Sequence, residues 1–284
     1  HMKSSLQEAD YSKEISLLTD SYINRVMQNR SFEYAREKLI NMFKWKHEFK
    51  VDKITLEQIT KPLSFASLYW YGYDKLNHPI LYVRSNLKDW SKFDVDLEIS
   101  MHIFMIETCI QNFLPPGIDQ FVIISDSQLS LRSINIGFMK RLLQLLTISY
   151  PDRLEYLRVG PVNQFLKSLY TTLKPFMSKP LVQKIQLLIH PNEELISTID
   201  EYDIPIFMGG TKQHDFIFVP AANKRNKHQA VAQEMNNSLK RKEKSPKIKE
   251  IKTTFNWDLM MKHQQQCYEE ILNRMNLTES TNSE

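Results

Sequence analysis

The stretch Tyr150-Pro151-Asp152-Arg153-Leu154, continued by Gly160-Pro161, Lys174-Pro175-Phe176, Val182-Gln183-Lys184-Ile185 and Asp203-Ile204-Pro205-Ile206-Phe207-Met208-Gly209-Gly210, punctuates the C-terminal half of the folded region. Between these proline and glycine marks, residues 154–159 and 185–189 read as strands. Residues 163–176 and 193–199 carry helical periodicity. Upstream the alternation continues, with strand-like runs at 68–72, 80–83 and 121–125 and helical patterns at 97–113 and 134–148. A further strand-like run lies at 216–219. Parallel strands need crossovers, and helices are the usual crossovers, so the pattern predicts an α/β fold with a mainly parallel sheet flanked by helices.

Residues 11–50 are helical in pattern, with Ser31 as N-cap before a stripe of Ala35, Leu39, Met42 and Phe43, which predicts an N-terminal helical layer. After Pro220 the composition turns polar and basic. Residues 221–252 hold ten Lys/Arg against three Asp/Glu, a charge of +7, so the rest of the chain, with its total of +4, is −3. A folded body without a basic face argues against a nucleic-acid partner. Periodicity returns at the end, where Trp257, Met260, Met261, Gln264, Cys267, Tyr268, Ile271 and Met275 share one helical face. The chain therefore divides into an N-terminal helical region (1–60), a main domain (61–220), a basic linker (221–252) and a C-terminal amphipathic helix with its tail (253–284).

Catalytic signatures are sparse. Six glycines build no GxGxxG, no P-loop and no GxSxG elbow. The two cysteines form no metal or disulfide pattern, and eight scattered histidines include no HxxxH pair. His47, His78, His102, His190 and His214 read as ordinary surface or satisfied core residues. Asp94, Asp96 and Glu98 read as acidic residues at a helix N-terminus. The expectation is a protein that is not an enzyme and carries no metal or cofactor. No run approaches the roughly 18 apolar residues of a membrane span, and the N-terminus lacks the order of a signal peptide, which points to the cytoplasm.

The punctuated block resembles the Sec14-like (CRAL-TRIO) lipid-transfer family in residue types, order and spacing. That family shows Tyr-Pro-Glu-Arg, a strand to Ala-Pro, a helix ending Lys-Pro-Phe, a Ser-Lys-Ile strand entry, and Leu-Pro-x-x-aromatic-Gly-Gly. Arg25-Val26-Met27-Gln28-Asn29-Arg30-Ser31-Phe32-Glu33 resembles its Arg-Phe-Leu-Arg-Ala-Arg-Lys-Phe-Asp turn, and Asp74 to Tyr82 resembles its Asp-x-x-Gly-Arg-Pro-Val strand entry. The resemblance spans roughly residues 15–220. It departs at Asn77-His78-Pro79 and at Ser125-Asp126-Ser127-Gln128, which marks a divergent member.

The resemblance implies a sheet and helices enclosing an apolar lipid cavity, closed by a gate helix near residues 162–176. Val162, Phe165, Leu166, Leu169, Tyr170, Leu173 and Phe176 form that helix's apolar stripe, with Lys167 and Lys174 elsewhere. A core helix would show the same periodicity. For a phosphatidylinositol headgroup the family pattern maps onto Arg30, Asp152 and Lys184, with Leu181 at its threonine position and Ser31 where a lysine follows the arginine. Ordinary surface ion pairing is the competing account of these three. Trp70, Leu81, Phe121 and Ile123 fall where choline-lipid binders carry two tyrosines, a serine and a threonine, so they imply an apolar cavity lining.

The functional expectation is thus an intracellular, peripherally membrane-associated monomeric carrier. It contacts membrane surfaces transiently and transfers phosphatidylinositol or presents it to a lipid kinase or other protein partner. A sterol, retinoid-like, tocopherol-like or porphyrin cargo, or a non-transferring adaptor binding a partner protein or anionic membrane, are the alternatives.

Overall fold

The computed structural model describes residues 2–7, 11–88, 93–127, 135–214, 218–220 and 253–281. The expected basic linker lies outside them. Its N-terminal layer contains α1 (Met2–Gln7), α2 (Ser12–Ser16), α3 (Asp20–Met27) and α4 (Phe32–Phe49). Short polar residues start the longer helices as the sequence predicts: Thr19 caps α3 by accepting from Tyr22 N, and Ser31 caps α4 by accepting from Tyr34 N. The layer has its own core, in which Leu6, Tyr22, Val26, Ala35, Leu39 and Phe43 are almost fully buried. α5 (Leu56–Leu63) opens with a capping box between Thr55 and Gln58 and leads into the sheet.

Five strands form the main sheet in the order β1 (Leu68–Tyr73), β2 (Pro79–Val83), β3 (Phe121–Asp126), β4 (Leu154–Gly160) and β5 (Ile185–Leu187). β1 and β2 are antiparallel, and every later pairing is parallel. The β1–β2 turn is closed by Asp74, whose Oδ1 accepts from Leu76 N and His78 N while Asn77 adopts the left-handed conformation. α6 (Val95–Asn112) connects β2 to β3. α7 (Ile136–Gln144) and a π turn (Leu145–Ser149) connect β3 to β4, and α8 (Gln164–Leu173) with α9 (Lys179–Lys184) connects β4 to β5. Asp94 caps α6, accepting from the amides of Asp96 and Leu97, in line with the acidic cluster expected there.

Two expectations are corrected. The helical pattern at 193–199 is realised as a shorter α10 (Pro191–Leu195). The last strand does not join the parallel sheet: β6 (Phe218–Pro220) pairs antiparallel with β7 (Thr253–Phe255) in a separate two-stranded sheet. Period-2 alternation identifies a strand but not its partner. Between α10 and β6 the chain folds back on itself at the Gly209-Gly210 pair. Gly209 is left-handed at φ 86°, and a Cβ on Gly210 would fall 2.1 Å from Ile204 O, so this sharp return has no room for a side chain.

α11 (Trp257–Thr281) packs across β1. All eight residues of its expected apolar face are buried or half-buried. Gln264, fully buried, accepts from Gly72 N at 2.8 Å and donates to Gly72 O at 3.2 Å. β1 is an edge strand, irregular between Trp70 and Tyr73, so one side chain satisfies backbone groups that the edge leaves unpaired. Among the described residues no helix is long and apolar enough to cross a membrane.

Gln264→Ala strands both Gly72 groups under α11. The expected loss is about 1–3 kcal/mol of unfolding free energy, measured by urea denaturation; an unchanged midpoint would mean that water replaces the glutamine freely.

Candidate functional site

A cavity of about 180 Å³ separates one face of the main sheet from α6, α7 and α8. Two cross-strand rows form its floor: Leu81, Ile123, Leu157 and Ile185 in one, and Leu68, Val83, Ser125, Val159 and Leu187 in the next. Side chains two apart on a strand face the same way, which is why these residues share a surface. Phe138, Met139, Leu142 and Leu146 of α7 and the turn after it wall one side, and Leu166, Leu169, Tyr170 and Leu173 of α8 form the roof.

Of the expected lining, Leu81 and Ile123 reach the cavity and Trp70 and Phe121 do not. Trp70 is registered with Leu81 but stands on the edge strand directly under α6, where its Nε1 donates to Met105 O at 2.9 Å and its ring meets Phe113 and Phe121 edge-on. Phe121 belongs to the next row towards the strand starts. Within the expected gate helix, Leu166, Leu169, Tyr170 and Leu173 follow the i, i+3, i+4, i+7 spacing and face inwards. Val162 precedes the Asn163 cap, Phe165 falls beside the stripe, and Phe176 lies in the 3-10 turn beyond the helix, 54% exposed under Lys140 Nζ at 3.7 Å from its ring. Lys167 and Lys174 are on the outer, exposed side. The α7 wall and the polar residues Lys88 and His102, which also line the cavity, were not singled out from sequence, where an apolar crossover helix looks the same whether it closes on the sheet or stands off it.

The three expected headgroup residues come together outside this lining, at the starts of β4 and β5. Arg30 grips Asp152 through two hydrogen bonds, Nη1 to Oδ2 at 2.6 Å and Nη2 to Oδ1 at 2.9 Å, and Lys38 Nζ stands 3.5 Å from the same carboxylate. Lys184 Nζ donates to Leu154 O. Lys38 was not identified from sequence; it lies on the α4 face that meets Asp152, a contact across 114 positions of chain. Burial pushes the Asp152 carboxyl up, but Arg30 and Lys38 outweigh it and hold the group below its ordinary range. Burial lowers the Lys184 ammonium, helped by Arg25 and Arg30 and opposed by Glu155 and Asp152. Arg25, Arg30, Lys38 and Lys184 thus outnumber Asp152 and Glu155 at one locus, an excess suited to a phosphate or another anion. Ile185, adjacent to Lys184, is part of the cavity floor, so the cluster sits at the cavity's rim.

Residues 66–210 match the family described as CRAL/TRIO domain. The phosphatidylinositol/phosphatidylcholine transfer protein SFH12 of Arabidopsis thaliana is 24% identical over 209 residues, covering 66% of this chain and 38% of its own. SFH4 of the same plant, which carries the same description, is 26% identical over 209 residues, with 66% and 34% covered, and Patellin-6 is 23% identical over 208 residues, with 67% and 51% covered. The chain therefore spans between about a third and half of the length of these relatives. The crystal structure of Sfh5 superposes with a TM-score of 0.58 at 16% identity, over 70% of this chain and 73% of that one, a likeness of fold.

The Arg30–Asp152 pair makes a prediction with a pH signature. Asp152 is depressed below its unfolded value of about 3.9, so the pair's contribution is complete above that pH and is lost as pH falls through the folded value. Asp152→Asn should lower stability by about 1–3 kcal/mol at pH 7, and the gap to the native chain should close near pH 3 in urea titrations.

Proposed function

The chain belongs to the CRAL/TRIO domain family, and from that membership we propose that it binds and transfers lipid, with phosphatidylinositol as its principal cargo. The observation that carries this reading is an apolar cavity roofed by a helix with lysines on its outer side, with an excess of cations at its rim. Acyl chains occupy the cavity. The inositol phosphate sits among Lys38, Lys184 and Arg30, while Asp152 accepts from inositol hydroxyls.

Magnitudes support a carrier. Each methylene exposed to water costs about 0.8 kcal/mol, so two chains of roughly 30 methylenes cost on the order of 25 kcal/mol to expose, and an apolar cavity offered at the membrane removes most of that barrier. At about 180 Å³ the closed cavity is short of two such chains, so loading a diacyl lipid requires α8 to move outwards. α8 is the element suited to it, with an inner face of leucines and one tyrosine and an outer face bearing Lys167, whose stem can lie on apolar surface while its head meets anionic headgroups. The exposed Phe176 and Lys174 just beyond it extend that outer surface. The adaptor reading needs a pocket filled by bulky side chains; the open space beneath α8 favours the carrier.

The test is transfer of labelled phosphatidylinositol between vesicles by the full chain. We expect transfer well above the spontaneous rate and a loss of about tenfold or more in the Lys38→Ala, Lys184→Ala double variant, since charge-assisted contacts are worth about 1.5–3 kcal/mol each. Absence of inositol-lipid transfer, or an unaffected double variant, would overturn the assignment of cargo and headgroup site.

A further inference from the structure

The end of the cavity beneath the strand ends is polar. Ser85, Lys88, His102, Ser125 and Asn135 contribute to its wall there. Counted along β4 from Leu154 to Val159, this end lies five residues, about 17 Å, from the Arg30–Asp152–Lys184 cluster.

His102 Nδ1 lies 2.7 Å from the backbone oxygen of Glu98. A carbonyl only accepts, so Nδ1 carries the hydrogen. Burial drives the imidazole down to about 3, with the charge of Lys88 acting in the same direction, so the ring is neutral and Nε2 presents a lone pair. The ring stands edge-on to Phe138 and keeps part of its surface accessible, and Nε2 accepts from none of the described residues.

The charges around it are compensated. Lys88 Nζ pairs with Glu98 Oε2 at 2.5 Å, both side chains being more than nine-tenths buried, and the ammonium lies over the rings of Phe93 and Phe138. Arg84 Nε lies 3.9 Å from Asp126. A ligand bearing a net charge would meet no free counter-charge among these groups, and a hydrocarbon would leave Nε2 without a donor. A neutral hydroxyl meets both requirements.

We propose that this end of the cavity is a binding site for the hydroxyl of an uncharged amphiphile with one chain or a fused ring system, the hydroxyl donating to His102 Nε2. The closed cavity fits such a ligand: at about 10–15 Å³ per water, its 180 Å³ is room for roughly twelve to eighteen waters. The site rests on the reading of this space as a ligand cavity and adds a second chemistry to it, at the opposite end from the phosphate-binding cluster.

The experiment is displacement of the neutral dye N-phenyl-1-naphthylamine from the full chain by four ligands of equal chain length: 1-dodecanol, dodecyl methyl ether, dodecane and dodecanoate. Dodecanol is expected to act at about tenfold lower concentration than the ether or the alkane, the worth of one hydrogen bond to a buried acceptor, and dodecanoate is expected to be weaker than dodecanol. His102→Leu should erase the preference for the alcohol without changing displacement by dodecane, and His102→Gln, which keeps an acceptor, should retain part of it. Equal displacement by alcohol and ether, a preference for the carboxylate, or a preference that survives His102→Leu would overturn the site while leaving the cavity reading intact. Failure of the dye and all four ligands to bind would overturn both.

Discussion

The strand order of the main sheet runs from β1 to β5 without a reversal. Parallel crossovers are right-handed, so successive ones that advance in the same direction must lie on the same face. α6, α7 and α8 therefore share one side of five strands, and the cavity is the space that their apolar faces enclose with two rows of sheet residues. The opposite face would be bare without another cover. Tyr69, Tyr71 and Tyr82 point there, His214 stacks on Tyr71 at 3.6 Å, and α11 closes over β1. One topological constraint thus produces both the lipid-sized side and the need for a C-terminal helix on the other.

The N-terminal layer is fixed to this sheet by polar contacts as much as by apolar ones. Arg153 lies over the Tyr22 ring at 3.5 Å and donates to Asp119 O, while Tyr22 OH donates to Pro151 O. Thr19 and Ser21 donate to the Asp119 carboxylate. These groups are buried or partly buried, where an unsatisfied polar atom is costly, so the layer has little freedom to shift without breaking several bonds together. That rigidity brings Arg30 and Lys38 up to Asp152 and makes the rim cluster a property of two layers rather than of either one.

The two ends of the cavity differ in how they handle charge. At the strand starts, cations exceed carboxylates in partly exposed positions, which suits a group that arrives from water or a membrane surface with its own negative charge. At the strand ends, Lys88 and Glu98 neutralise each other beneath aromatic rings, and burial holds His102 neutral. A low-dielectric interior tolerates ions only when they are paired, so the inner end is left with hydrogen-bonding capacity and little net charge.

Much of this organisation is written locally. Alternating strand and helix periods, the Ser31 cap, the Gly209-Gly210 turn and the spaced proline motifs depend on neighbours within a few positions, and they were sufficient for the α/β class, the N-terminal helical layer, the family and the inward stripe of Leu166, Leu169, Tyr170 and Leu173. Arg30, Asp152 and Lys184 were legible through their motifs. What only the tertiary structure decided involves groups far apart in the chain or indistinguishable by pattern: Trp70 lies beneath α6 instead of in the cavity, Phe176 swings out past the helix end, Lys38 joins Asp152, and β6 pairs with β7. Periodicity states which face of an element is apolar, but whether that face meets a neighbour or a void depends on how closely two elements approach. That distance is set by packing summed over the whole molecule, and it is why an unremarkable His102 becomes an acceptor at the wall of a cavity.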